Sequence, residues 1–235
     1  MKAIRLNAFA QQVDDVSWLV EGLLPDVGWS LLVGQKGLGK TTFALQLCSA
    51  IQKGTPFLGR KTVQRDICYI QADSGTEEWR LMVRRIAGES QGFTVIDCEP
   101  KILSSPIYIS QLESIVKQIN PGFIVWDSLY NLTAHNLNNE QVLMPIGIMR
   151  MISGVAPWLL IHHPPHGQTR ASGHNSLEAN CSNLWILLKT CLRIEKARLV
   201  AGQELQMRRD SQGLWMPYEE TVRQQGRSSL DRSMF

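Results

Sequence analysis

Residues Val33 to Leu47 read VGQKGLGKTTFALQL. An apolar run, Ser30 to Val33, stops at a glycine, and an amphipathic stretch begins at Lys40. Between them, Gly34-Gln35-Lys36-Gly37-Leu38-Gly39-Lys40-Thr41 fits GxxxxGK[ST] at every position. Glycines let backbone N–H groups turn inward around phosphate oxygens, and a helix starting here adds its positive N-terminal end. In such a loop Lys40 reaches the β- and γ-phosphates, and the Thr41 hydroxyl is a Mg²⁺ ligand, with Thr42 next in the turn. A glycine-rich turn without a ligand is the bland alternative. The strand before and the helix after argue against it. Gly34 through Thr42 are therefore the expected nucleotide-binding residues, with ATP and Mg²⁺ as cofactors.

Outward from the loop, apolar and helical stretches alternate. Lys40 to Lys53 carries Phe43, Ala44, Leu47, Ala50 and Ile51 on one face, the spacing of a helix. Ile67–Gln71 reads as a strand, Glu77–Ala87 as a helix and Thr94–Ile96 as a brief strand. Ser110–Ile119 reads as a helix ended by Asn120-Pro121-Gly122. Phe123–Trp126 is a strand, Glu140–Ile152 a helix that Pro145 kinks or delays, and Trp158–His162 a strand. The polar loop His163–Asn175 contains Pro164, Pro165, Gly167 and Gly173. After it, Asn183–Lys189, Cys191–Glu195, Leu205–Arg208 and Leu214–Met216 read as strands without intervening helices. The expected class is α/β: a mainly parallel central sheet flanked by helices, with a C-terminal antiparallel extension. One domain is expected over residues 1–220, with 1–17 as a lead-in and a polar tail at 221–235.

The bulk composition is permissive. A chain of 235 residues buries roughly 70–75% of its unfolded surface and can carry its own core. The net charge of +3 allows contact with nucleic acid without demanding it. The five cysteines show no paired metal-ligand spacing, and an odd count argues against a full disulfide framework. Reduced thiols in a cytoplasmic protein are the simple expectation. No stretch approaches the ~20 apolar residues of a membrane span, so no membrane partner is expected. MKAIRLNAFAQQVDD lacks the apolar core of a secretory signal.

Two acidic residues end apolar strands. Asp127 closes Phe123-Ile124-Val125-Trp126 and can hold Mg²⁺ through water; the alternative is a turn or cap residue. Asp73 follows Ile70-Gln71-Ala72, at the sheet edge where ligands bind in parallel α/β folds. It either orients an attacking water or caps the helix that follows.

With those strand ends placed, the chain resembles the RecA-like ATPase superfamily. Within it, the nearest resemblance is to plasmid RepA-type hexameric replicative helicases and related phage and mobile-element ATPases. The likeness spans Trp18 to Met216 and rests on the order of segments: WLVEGLLPDVGWSLLVG into the loop, IHHPPHGQTRASGHNSLEANCSNLWIL, and RIEKARLVAGQELQMRRDSQGLW. The resemblance implies roles for several residues. Asp73 falls where the family has a catalytic glutamate, one methylene longer. A misplacement of ~1 Å can cost ~10²-fold in rate. His163, beside His162, falls where relatives keep a γ-phosphate sensor. A plain structural histidine, or a zinc site with His166 and His174, are the alternatives, the last disfavoured because adjacent strand residues rarely face one metal. Lys196 and Arg198 match a Lys-x-Arg element that reaches a neighbouring subunit's nucleotide. The alternative is two solvated cations on an edge strand. Implied partners are further copies of the chain in a hexameric ring, and single-stranded DNA at the loops Leu132–Asn139 and His163–Asn175. Arg170 is the only Lys or Arg in those two loops.

The first expectation is thus an ATP-hydrolysing oligomeric motor on single-stranded DNA, of replicative-helicase type. The second is a nucleotide-gated assembly or regulatory ATPase with slow turnover. A P-loop kinase is remote, because no arginine-rich lid follows the core strands.

Overall fold

The apolar runs become strands covered on both faces. The computed structural model describes residues 6, 16–72, 75–137, 140–163, 176–199 and 201–218. Its strands are β1 Trp18–Val20, β2 Leu24–Pro25, β3 Trp29–Val33, β4 Ile67–Gln71, β5 Phe93–Asp97, β6 Phe123–Asp127, β7 Trp158–His162, β8 Asn183–Leu187, β9 Cys191–Ala197, β10 Gln203–Arg209 and β11 Trp215–Pro217. Its helices are α1 Lys40–Lys53, α2 Thr76–Ile86, α3 Pro106–Ile119, α4 Leu129–Leu132, α5 Leu143–Ser153 and α6 Ser176–Asn180.

Among the described residues, β3 to β11 form one sheet in the order β11-β10-β9-β8-β3-β7-β6-β4-β5, and β1 and β2 form a separate pair. The six strands from β8 to β5 in that order pair in parallel. The remaining three add on antiparallel. Strands β3, β4, β6, β7 and β8 are buried at every residue. That follows from helices covering both faces, because the pleat sends alternate side chains to opposite sides. Leu32, Tyr69, Val125, Leu159 and Trp185 point to one core with α1 (Phe43, Leu47, Ile51) and α2 (Trp79). Leu31, Ile70, Ile124, Leu160 and Ile186 point to the other, with α3 (Leu112, Val116) and α5 (Ile146, Met149, Ile152).

Helix ends follow local chemistry. Helix α1 stops at Gly54, whose φ of 66° is left-handed and suits glycine at a C-terminal cap. Helix α2 carries Glu77 and Glu78 in its first turn and Arg84 and Arg85 in its last, complementing the helix dipole. Helix α3 begins at Pro106, four residues before the expected Ser110. Proline fits a first turn, where its missing N–H has no partner to lose. Pro145 sits in the first turn of α5 for the same reason, and Glu140–Val142 ahead of it is a 3₁₀ turn.

One expectation is corrected. Asn183–Lys189 does not open the antiparallel extension: β8 runs parallel to β3, with Ser30 opposite Asn183 and Val33 opposite Ile186. In the sheet order β3 lies between β7 and β8, and α6 directly precedes β8 in the chain. The antiparallel extension therefore begins at β9. The residues expected to form a tail, 221–235, lie outside the described residues.

Candidate functional site

The strands β3, β7, β6 and β4 all end at the same sheet edge, and the phosphate loop leaves β3 there. Gly37 and Gly39 have φ of 80° and 81°, a left-handed backbone that glycine adopts without strain. Gly34 passes so close to β8 that a Cβ would lie 2.9 Å from the Leu187 carbonyl oxygen.

Lys40 is buried, at 4% exposure, at the start of α1. Its Nζ donates to the carbonyls of Gly34 at 2.6 Å and Gln35 at 3.2 Å. It also lies 2.8 Å from His163 Nδ1. An ammonium only donates, so Nδ1 accepts and the imidazole carries its proton on Nε2. The end of β7 thus puts His163 against the loop lysine, while His162 is buried in the strand at 1% exposure.

Asp127, at 2% exposure, closes β6 beside the loop. Its Oδ2 accepts from the Thr41 hydroxyl at 2.9 Å and from the Tyr69 hydroxyl at 2.8 Å. Tyr69 was not foreseen as a site residue. Its signal in the sequence was a phenol inside an apolar strand, since a buried tyrosine hydroxyl needs a polar partner. A hydroxyl and a carboxylate side by side are hard oxygen donors, the set that suits Mg²⁺. Thr41 and Asp127 fit that ion.

Asp73 and Arg170 lie outside the described residues, as do His166 and His174. Ala72, just before Asp73, donates its N–H to the Asp127 carbonyl at 2.8 Å, so β4 delivers the chain beside Asp127. Among the described residues no three His, Cys, Asp or Glu side chains gather closely enough to hold a metal ion. The described cysteines are free thiols, buried except for the partly exposed Cys98. Burial pushes Cys68 and Cys98 up to about 12, with the neighbouring Cys98 and Asp97 charges adding respectively.

Lys196 and Arg198 are not at this edge. Lys196 lies opposite Leu184, and Ala197 opposite Asn183, which in turn pairs with Ser30 near the start of β3. The Arg198 N–H donates to Ser182, whose own N–H donates to Trp29. Arg198 is therefore level with Trp29, about 13 Å along the strand direction from Val33 at ~3.3 Å per residue. Lys196 Nζ donates to the carbonyls of Glu178 at 2.8 Å and Ala179 at 2.7 Å, in the last turn of α6. The Arg198 residue is exposed.

The loop after β6 is described as far as Leu137. It borders a cleft of about 480 Å³ lined by Lys101, Tyr130, Asn131, His135 and Asn136 among others. Lys101 comes from the β5–α3 connection, and its N–H donates to the Asn131 carbonyl at 2.6 Å. A cation thus stands beside this loop that a count of the loop's own residues misses.

A family model described as an AAA domain matches residues 2–169. A search of curated proteins found no match. Among solved structures, the KaiC-like protein PH0186 of the hyperthermophilic archaeon Pyrococcus horikoshii OT3 is similar. Its TM-score is 0.58 at 18% identity, over 86% of this chain and 94% of that one. The ATPase domain of another protein is similar at a TM-score of 0.59 and 13% identity, over 91% of this chain and 96% of that one. At these identities the likeness is one of fold: a RecA-like arrangement of parallel sheet and flanking helices.

Proposed function

The chain belongs to the AAA-domain family and has a RecA-like P-loop ATPase fold, and from this premise we propose that it is an oligomeric ATP-hydrolysing motor on single-stranded DNA, of replicative-helicase type. The observation that carries the ATPase part is the junction of Thr41 with Asp127 at 2.9 Å, which unites the phosphate loop and the β6 carboxylate. Lys40 binds the β- and γ-phosphates once it leaves the Gly34 and Gln35 carbonyls. Thr41 and Asp127 hold Mg²⁺, which when bound neutralises charge on the phosphate oxygens. His163, within hydrogen-bond distance of Lys40, reads the γ-phosphate through that lysine. Asp73 orients the attacking water.

The position of Arg198 supports a role in trans. It stands at the edge where the parallel strands begin, away from its own phosphate loop. A second copy is what would bring it to a nucleotide, where a cation on the transferred phosphoryl group can contribute ~10³–10⁵ in rate. A ring of copies, with six as the expected number, satisfies that need. The DNA part is supported by the cleft beside the loop after β6, where Lys101 offers a phosphate contact and the exposed ring of Tyr130 a stacking surface.

The test is ATP hydrolysis by the purified protein with single- and double-stranded DNA titrated in, with its oligomeric state recorded. Strong stimulation by single strands in a ring-sized species supports the motor. Binding of ATP without stimulation supports the second reading, a nucleotide-gated assembly protein. The short side chain at Asp73 favours that one. Asp73→Glu separates them further: a large gain in turnover means that the natural enzyme is held back.

A further inference from the structure

We propose that Arg209 and Trp215 are positioning residues of the nucleotide site: from the β10–β11 hairpin they hold the Leu38 and Gly39 carbonyls outward and so aim the next backbone N–H groups at the phosphates. This rests on the reading of Gly34–Thr42 as an ATP site and adds a part that the motif does not contain.

The two residues are register partners, Arg209 at the end of β10 and Trp215 at the start of β11. The Arg209 guanidinium lies 4.7 Å from the Trp215 ring centroid, a cation–π contact. From there Arg209 donates to the Leu38 carbonyl. Trp215 Nε1 donates to the Gly39 carbonyl at 3.2 Å. The same carbonyl also accepts from Phe43 N–H at 2.9 Å, the first bond of α1. The hairpin is itself fixed to α1: Trp215 N–H donates to Gln46 Oε1 at 2.8 Å, and Gln46 Nε2 donates to the Trp215 carbonyl at 3.1 Å. Trp215 is 3% exposed, so its donor is held in a packed setting.

Covalent geometry turns these contacts into a statement about phosphate binding. In a trans peptide the C=O and the following N–H point in opposite directions. Donors that fix the Leu38 and Gly39 carbonyls on the outer side therefore fix the N–H groups of Gly39 and Lys40 on the inner side. Successive inward N–H groups are what makes a loop an anion nest. Left alone, a loop with glycine at 34, 37 and 39 samples many conformations and must lose that freedom on binding. A brace that removes it beforehand strengthens binding by preorganisation. Gly39 is confined on both counts: its φ is 81°, and a Cβ there would collide with the Arg209 guanidinium and come within 3.5 Å of Trp215 Nε1. Neither Arg209 nor Trp215 needs to touch nucleotide for this.

The experiment is calorimetric binding of Mg-ADP to the full chain, with steady-state ATP hydrolysis alongside, for Arg209→Ala, Arg209→Lys and Trp215→Phe. Arg209→Ala is expected to raise Kd by about 10- to 100-fold, the range for losing a charge-assisted hydrogen bond. Arg209→Lys keeps a donor and regains most of the loss. Trp215→Phe keeps the ring, loses the N–H, and weakens binding by about 3- to 10-fold. In each, KM rises with Kd while kcat at saturation stays within about twofold, because a loaded loop is already ordered. Wild-type Kd in folded Arg209→Ala and Trp215→Phe overturns the proposal. So does loss of folding in all three variants, which would make the hairpin a plain stability element. A wild-type chain that binds no Mg-ADP refutes the ATP-site reading itself, and the brace falls with it.

Discussion

Lys40 and Lys196 each hold two backbone carbonyls, and they stand at opposite ends of the parallel strands. Lys40, where the strands finish, grips Gly34 and Gln35 and touches His163. Lys196, nearer to where they begin, grips Glu178 and Ala179 at the end of a five-residue helix. The grips look alike but their surroundings differ. Around Lys40 stand a carboxylate with a threonine hydroxyl, a histidine and a left-handed glycine loop, which together can receive a polyphosphate. Around Lys196 stands a helix end, where a cation complements the negative pole of the dipole. The comparison divides the Lys-x-Arg element: Lys196 already has structural partners, and exposed Arg198 is the better candidate to cross to another copy.

Experiments can break that division. The largest effect is expected from Lys40→Ala, which takes ATP hydrolysis down to the assay background in a phosphate-release measurement. Arg198→Ala is next, with a fall of about 10³-fold in kcat at unchanged ATP affinity. Mixing the two variants is the sharper form. A copy with an intact loop beside a copy with an intact Arg198 recovers part of the activity if Arg198 works in trans. No recovery in mixed oligomers, or full activity in Arg198→Ala alone, would sink the trans assignment.

A smaller effect is expected at the unforeseen tyrosine. Tyr69→Phe removes one of the donors to the buried Asp127 Oδ2, with an expected loss of about 2 kcal/mol of stability. Chemical denaturation of the nucleotide-free protein reads it. Lys196→Ala should cost about 1 kcal/mol by the same measurement and lower kcat far less than Arg198→Ala. If Lys196→Ala abolishes turnover at full stability, the division between the two cations is wrong.

The smallest effect at neutral pH comes from the thiols. Cys68 and Cys98 are raised in the folded chain to about 12, so their contribution to stability is complete below the unfolded thiol range near 9. It is lost as pH climbs from there, because the unfolded chain then sheds protons that the folded chain keeps. Denaturation midpoints should be flat with respect to these groups at pH 7–8 and fall above about pH 9. Iodoacetamide at pH 8 should label Cys68 only as fast as the protein opens.

What could be read in the sequence was what is local. The phosphate loop and α1 were legible to the residue, because glycine placement and a 3.6-residue apolar spacing are written in consecutive positions. Asp127 was legible as a strand end. The direction of β8 was not, since it depends on how the chain crosses between Trp158–His162 and Asn183–Leu187, a stretch with little apolar rhythm. The start of α3 was missed although Pro106 marks it, because the apolar spacing is clearer after Ser110. The pairings of Tyr69, Gln46, Arg209 and Trp215 were hidden for a different reason. Their partners lie from 58 to 176 positions away, and no pattern in a single sequence announces such pairs.

The brace also places the site in time. Leu38 and Arg209 are separated by 171 positions, and Gly39 and Trp215 by 176. A ribosome adding about 5–20 residues per second delivers the complete GxxxxGKT loop roughly 10–30 s before the residues that steady it. A nascent chain that has reached Lys189 therefore carries every residue of the motif and should bind Mg-ADP only weakly. High affinity arrives with the last strand, and nucleotide capture becomes a late event in the birth of the protein.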